Sequence, residues 1–141
     1  IELMPIGLGG QLPRRTEAEV RAILERSLGP MVPCGDVIGA GPGHYFTVPG
    51  FQGRIGFISA MTHQFCDGCN RVRLTATGFL KTCLQYETGR DLRALLRSGA
   101  DDGTVLAAIE DAIRRKPAQH HFNESTGQSA DETHNMNQIG G

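Results

Sequence analysis

A mixed α/β fold is predicted by three features of the sequence. The chain opens on a short apolar run and passes through a glycine-rich loop into an amphipathic helix. That is the order of one β/α unit of a parallel barrel. Its middle alternates short β-prone runs with glycine and proline, the pattern of small antiparallel strands. Two further runs with apolar residues at helical spacing follow before the chain turns polar. The expectation is one β/α unit of a TIM-like parallel barrel over residues 1–30. A small α+β domain over 31–122 and a flexible tail over 123–141 come next.

Each element has a local cause. Ile1 to Pro5 reads as a buried strand, apolar on both sides of Glu2 and stopped by proline, with Glu2 expected to meet a basic partner in the rest of a barrel. Thr16 and Glu19 have the spacing of a capping box, in which each side chain satisfies a free backbone N–H at a helix start. Val20, Ile23, Leu24 and Leu28 then recur at helical spacing until Gly29-Pro30. His44 to Val48 and Arg54 to Ser59 read as short strands between breakers. Arg71, Val72, Arg73 and Leu74 alternate as a two-faced strand, Thr77-Gly78 turns, and Phe79 to Leu84 returns. Helices are expected from Asp91 to Ser98 and from Asp102 to Lys116. Arg114, Arg115 and Lys116 crowd the last turn, where the helix dipole favours cations. From Ala118 the chain is too polar to form a core, so much of 123–134 is expected to lack order, with Met136 and Ile139 as apolar anchors.

Composition narrows the function. With 141 residues, 39% apolar and 21% charged, the chain has the make-up of one modest globular domain. A net charge of −1 excludes a general nucleic-acid surface, so anion recognition must be local. No apolar window approaches a membrane span, and the start lacks the basic lead and apolar run of a signal peptide. Four cysteines could form two disulfides in a secreted protein. One pair, however, is a Cys-x-x-Cys, and metal ligation in a reducing cytoplasm is the better reading.

The chemistry-bearing segment is Cys66-Asp67-Gly68-Cys69-Asn70-Arg71-Val72-Arg73-Leu74-Thr75, with Cys83 across the expected hairpin. Thiolates two residues apart bite one metal or cluster, and a third returning on a hairpin can close on the same centre. Three ligands leave a four-site centre open, for a fourth protein ligand or for a substrate. Spacing alone slightly favours structural zinc, with His63 or another histidine as the fourth ligand. Arg71 and Arg73, two apart on a strand, would share a face, and guanidinium forks donate paired bonds to phosphate that lysine cannot copy. Cys34 stands apart as a buried or incidental thiol.

The run from Phe65 to Leu84 resembles the second iron–sulfur motif of the MoaA family, the radical-SAM GTP 3',8-cyclases of molybdenum cofactor biosynthesis. Ile1-Glu2-Leu3-Met4-Pro5-Ile6-Gly7 resembles a late barrel strand of that family, and Met136 to Gly141 resembles its Gly-Gly tail. The resemblance implies the last piece of a radical-SAM barrel followed by an iron–sulfur domain. Cys66, Cys69 and Cys83 would hold a 4Fe–4S cluster with one open iron, the place where the guanine of GTP binds. Arg71, Val72 and Arg73 would lie in the GTP site, and Met4 would line the S-adenosylmethionine pocket. Gly140 and Gly141 would form the tail that reaches the active site and is needed for activity. A 5'-deoxyadenosyl radical made at an N-terminal cluster would abstract hydrogen from the bound GTP.

The chain has no Cys-x-x-x-Cys-x-x-Cys and opens without methionine, so it is expected to be a piece of a longer cytoplasmic lyase, inactive alone. Its partners would be GTP and the missing N-terminal barrel, with homodimerisation left open and neither nucleic acid nor membrane expected. The rival readings are a zinc-stapled interaction module and the auxiliary-cluster domain of another radical-SAM enzyme.

Overall fold

The computed structural model describes residues 1–35, 39–122 and 132–139, and it divides into two compact units. The first comprises Ile1–Met4 and Gln11–Cys69; the second comprises Pro5–Gly10 and the described residues from Asn70 onward. Both are mixed α/β, each built on one three-stranded antiparallel sheet. No barrel is present among the described residues.

In the first unit, helix α1 (Glu17–Leu28) starts at the expected capping box. Glu19 N–H donates to Thr16 Oγ1 at 3.2 Å, and Thr16 N–H donates to the Glu19 carboxylate at 2.7 Å. Gly29 ends the helix at φ +94°, a conformation that costs other residues energy, with its N–H on Glu25 O. Strands β1 (Val32–Pro33), β2 (His44–Thr47) and β3 (Ile55–Phe57) pair in the order β1-β2-β3. Met31, Phe46, Val48 and Phe57 form the core, with Val20, Leu24 and Leu28 of α1 packed on it. The Phe46 and Phe57 rings meet edge-on at 5.6 Å, and the Arg21 guanidinium covers Phe46.

The expected strand at Ile1 to Pro5 is not formed. A single backbone bond, from Glu2 N–H to Ile58 O at 2.9 Å, stands where a ladder was expected. A parallel barrel strand needs neighbours on both sides, and Pro5 has no N–H to extend the pairing.

In the second unit, β4 (Arg73–Leu74) pairs with β5 (Phe79–Lys81), and β5 with β6 (Gly89–Asp91). The β4–β5 hairpin is the expected one, with Arg73 opposite Lys81 and Leu74 opposite Leu80. Its turn is closed by Thr75 N–H on Phe79 O and Gly78 N–H on Thr75 O, with Gly78 at φ +82°. Strand β6 carries no β-prone residue. It forms because a Cβ at Gly89 would lie 1.9 Å from Leu80 O, so only glycine allows the approach. Helices α2 (Leu92–Arg97) and α3 (Asp102–Arg114) start at Asp91 and Asp101, whose carboxylates accept from Ala94 N–H and Thr104 N–H. Leu80, Leu92 and Ala112 form the core, with Leu95 and Ile109 against them. Of the expected tail, residues 123–131 and 140–141 lie outside the described residues. Ile139 is 1% exposed, the anchor its apolar side chain suggested.

Candidate metal centre

Cys66 and Cys69 sit on one short turn in the first unit. Cys66–Gly68 is a 3-10 turn, and Cys69 N–H donates to Cys66 O at 3.0 Å. This tight return is what lets two side chains three positions apart face one ion. Neither is in a disulfide, and both are half-buried. Cys83 belongs to the second unit, just past β5, between buried Thr82 and buried Gln85, and is also half-buried. The Cys34 N–H donates to Tyr45 O at 2.8 Å. None of the four cysteines is in a disulfide, and thiolate is the soft donor type that zinc or an iron–sulfur cluster takes.

Arg71 and Val72 are exposed and precede the ladder; only Arg73 is within it. The strand face expected to be shared by the two arginines is therefore not formed: Arg73 alone is in the ladder, half-buried opposite Lys81. Asn70 to Val72 stay irregular because β5 ends at Lys81, opposite Arg73, and offers them no ladder. The Arg71 carbonyl accepts from Lys116 Nζ at 2.9 Å. Arg115 pairs with Asp111 at 2.9 Å and Arg114 with Glu110 at 3.4 Å, so the basic end of α3 is engaged locally. Met4 is half-buried in the first unit. Gly140 and Gly141 lie outside the described residues.

Upstream of the cysteine turn, sequence reasoning missed a buried carboxylate pair. Glu2 is 6% exposed and accepts from Glu17 N–H (2.9 Å), Met61 N–H (2.8 Å), Thr62 N–H (2.8 Å) and Thr62 Oγ1 (2.5 Å). Burial pushes its carboxyl up, but the Thr62 hydroxyl and the three N–H groups outweigh this and hold it below the ordinary value. The basic partner expected for Glu2 is thus replaced by neutral donors. Glu17, also buried, accepts from Ser59 Oγ and meets His44 Nε2 at 2.6 Å. Its carboxyl is pushed up by burial and held low overall by Ser59 and His44, with His63 adding charge. His63 is exposed and stands edge-on to His44 at 6.4 Å.

The second unit has a cavity of about 600 Å³, lined by Phe79 and Lys81 of β5, Arg93 of α2 and the chain around Glu132, His134 and Ile139. Within it Lys81 pairs with Glu132, both side chains almost wholly buried, and Lys81 Nζ also donates to Tyr86 O at 2.9 Å. Glu87, Glu132 and His134 bring ligand-type atoms within 4.8 Å of one another.

The chain is thus two mixed α/β units, each with cysteines outside disulfides on or beside short turns. The Molybdenum Cofactor Synthesis C profile matches residues 1–122, and the chain belongs to that family. Its similarity to the C-terminal part of MoaA holds across the chain. It is 41% identical to a GTP 3',8-cyclase of Pelotomaculum thermopropionicum over 147 aligned positions, covering 100% of this chain and 43% of that protein. GTP 3',8-cyclases of Paracoccus denitrificans and Clostridium perfringens are 44% and 39% identical over 89% and 86% of this chain, which covers 37% and 38% of those proteins. The chain thus spans roughly two fifths of the length of these relatives. No solved structure matches it. Among the described residues no helix is long and apolar enough to cross a membrane.

Proposed function

We propose that this chain is the substrate-binding part of a cytoplasmic radical-SAM GTP 3',8-cyclase, a lyase that converts GTP to the cyclic pyranopterin precursor of the molybdenum cofactor. Cys66, Cys69 and Cys83 would hold a 4Fe–4S cluster, which when bound supplies an open iron as a Lewis-acidic site for guanine. Arg71 and Arg73, with Val72 between them, bind and orient the anionic end of GTP. Residues 1–30 close the radical-SAM barrel, Met4 lines the S-adenosylmethionine pocket, and residues 31–122 form the cluster domain. Gly140 and Gly141 end a tail, residues 123–141, that reaches the reacting centre. An N-terminal barrel supplies the radical, and the chain alone is inactive. A second copy of the whole protein is a further candidate partner.

One observation carries this reading. A Cys-x-x-Cys turn with half-buried cysteines outside any disulfide runs directly into Arg71-Val72-Arg73 and a hairpin whose return strand leads to the third cysteine. The donors for a soft metal centre and the donors for an anion are consecutive in one stretch of chain.

The test is GTP binding to anaerobically reconstituted protein that includes the N-terminal part found in the relatives. Charged hydrogen bonds contribute ~1.5–3 kcal/mol each, or roughly 10- to 150-fold in affinity. Arg71→Ala and Arg73→Ala should weaken GTP binding by that range while iron and sulfide content stays at the parent level. Variants that keep both the cluster and parent affinity would remove the arginines from the site.

A further inference from the structure

We propose that Glu2 is a positioning residue for the cluster ligands: its buried carboxylate fixes the Ser59–His63 turn, from which the chain departs into the Cys66–Cys69 turn. The inference rests on the reading of Cys66 and Cys69 as ligands.

The turn is closed by His63 N–H on Ser59 O at 3.0 Å. Closing it leaves the N–H groups of Met61 and Thr62 pointing inward, and both donate to one Glu2 oxygen at 2.8 Å. The other oxygen takes the Thr62 hydroxyl and the N–H of Glu17, the first residue of α1. All four partners are donors. A carboxylate accepts from all of them, whereas a glutamine would turn its NH2 toward at least one backbone N–H, that of Glu17 or those of Met61 and Thr62, and leave it without an acceptor. Burial at 6% exposure keeps water from taking the carboxylate's place. Ser59, at the other end of the same turn, is only 2% exposed and donates to Glu17, so the turn is held from both ends by α1 and its neighbour Glu2.

Only three residues, His63, Gln64 and Phe65, separate Thr62 from Cys66. Over so short a tether a freed turn moves the first ligand, and by linkage a bound centre must in turn steady the turn. A carboxylate that merely stabilised the fold would not respond to the cluster.

The experiment uses the 141-residue chain, loaded anaerobically with ferrous iron and sulfide. Amide exchange at Met61 and Thr62 is compared with and without the cluster. Release of iron to a chelator is compared among the parent, Glu2→Gln and Glu19→Gln, the last a control that neutralises an exposed carboxylate of α1 and keeps its capping box. Coupling in the usual range predicts exchange at Met61 and Thr62 slowed about 5- to 150-fold by the cluster, and iron release from Glu2→Gln faster by a similar factor. Glu19→Gln should release iron at the parent rate. Unchanged exchange at both amides overturns the inference, as does equal release from the two variants. If Glu2→Gln fails to fold, the exchange measurement on the parent decides alone. A parent that takes up no iron and sulfide overturns the cluster reading and this inference with it; uptake without any effect on exchange overturns this inference only.

Discussion

The two units bury carboxylates in opposite ways. In the first, Glu2 and Glu17 are satisfied by backbone N–H groups, hydroxyls and an imidazole. In the second, Glu132 meets the ammonium of Lys81. Donors on the backbone are fixed by the fold, so the first arrangement ties the carboxylate to a particular turn and costs no second buried charge. An ion pair removes two charges from water and depends on both partners being present. The first arrangement specifies local geometry, and the second fastens the chain after residue 131 to β5.

This contrast predicts its own largest effect in the second unit. Glu132→Gln, which strands the Lys81 ammonium, should lower stability by ~3–5 kcal/mol in urea unfolding. Lys81→Met combined with Glu132→Leu should come close to parent stability, because no charge is left buried. A double variant as unstable as the single one would show that packing around the pair matters more than its charges.

Acid should act on both units with the same sign. Burial raises the Glu2, Glu17 and Glu132 carboxyls, but hydrogen bonds, and for Glu17 and Glu132 nearby cations too, outweigh it and leave all three low. A carboxyl that binds its proton less readily when folded adds stability above the unfolded value of about 4.3, and that stability is lost as pH falls through the folded value. Stability should therefore be level from neutral pH to about 5 and fall below about 4. Glu2→Gln should flatten part of that fall in the first unit and leave the acid response of the second unchanged. Amide exchange followed by unit reads the difference.

The smallest effect tests whether the capping box matters beside the buried carboxylates. Thr16→Ala removes the side-chain acceptor for Glu19 N–H and should lower stability by ~1 kcal/mol, less than the loss of a buried group. A larger loss would mean that the start of α1, next to Glu17, is part of the carboxylate cluster and not merely adjacent to it.

Most helices were legible in the sequence because their signals are local. Thr16 with Glu19 marks the start of α1, apolar residues at helical spacing mark α2 and α3, and Gly29 and Gly99 mark the ends of α1 and α2. The β4–β5 hairpin was legible for the same reason, from alternation and a Thr-Gly turn. Strands β1 and β6 were not, since Val32-Pro33 and Gly89-Arg90-Asp91 form strands only because a neighbour needs pairing. Ile1 to Pro5 misled in the other direction, being apolar enough for a strand but lacking one to pair with. The cysteines and arginines could be picked out by spacing. The partners of Glu2 at 61–62 and the Lys81–Glu132 pair join residues far apart in the chain, and no local pattern announces them.

The central claim is that Cys66, Cys69 and Cys83 together hold an iron–sulfur cluster. Its most direct test is iron, zinc and acid-labile sulfide analysis of anaerobically prepared protein and of four single serine variants. The parent should contain iron and sulfide in equal amounts with little zinc. Cys66→Ser, Cys69→Ser and Cys83→Ser should each lose both, and Cys34→Ser should retain them. Zinc without sulfide in the parent, or full iron and sulfide in the Cys83→Ser variant, would contradict the account.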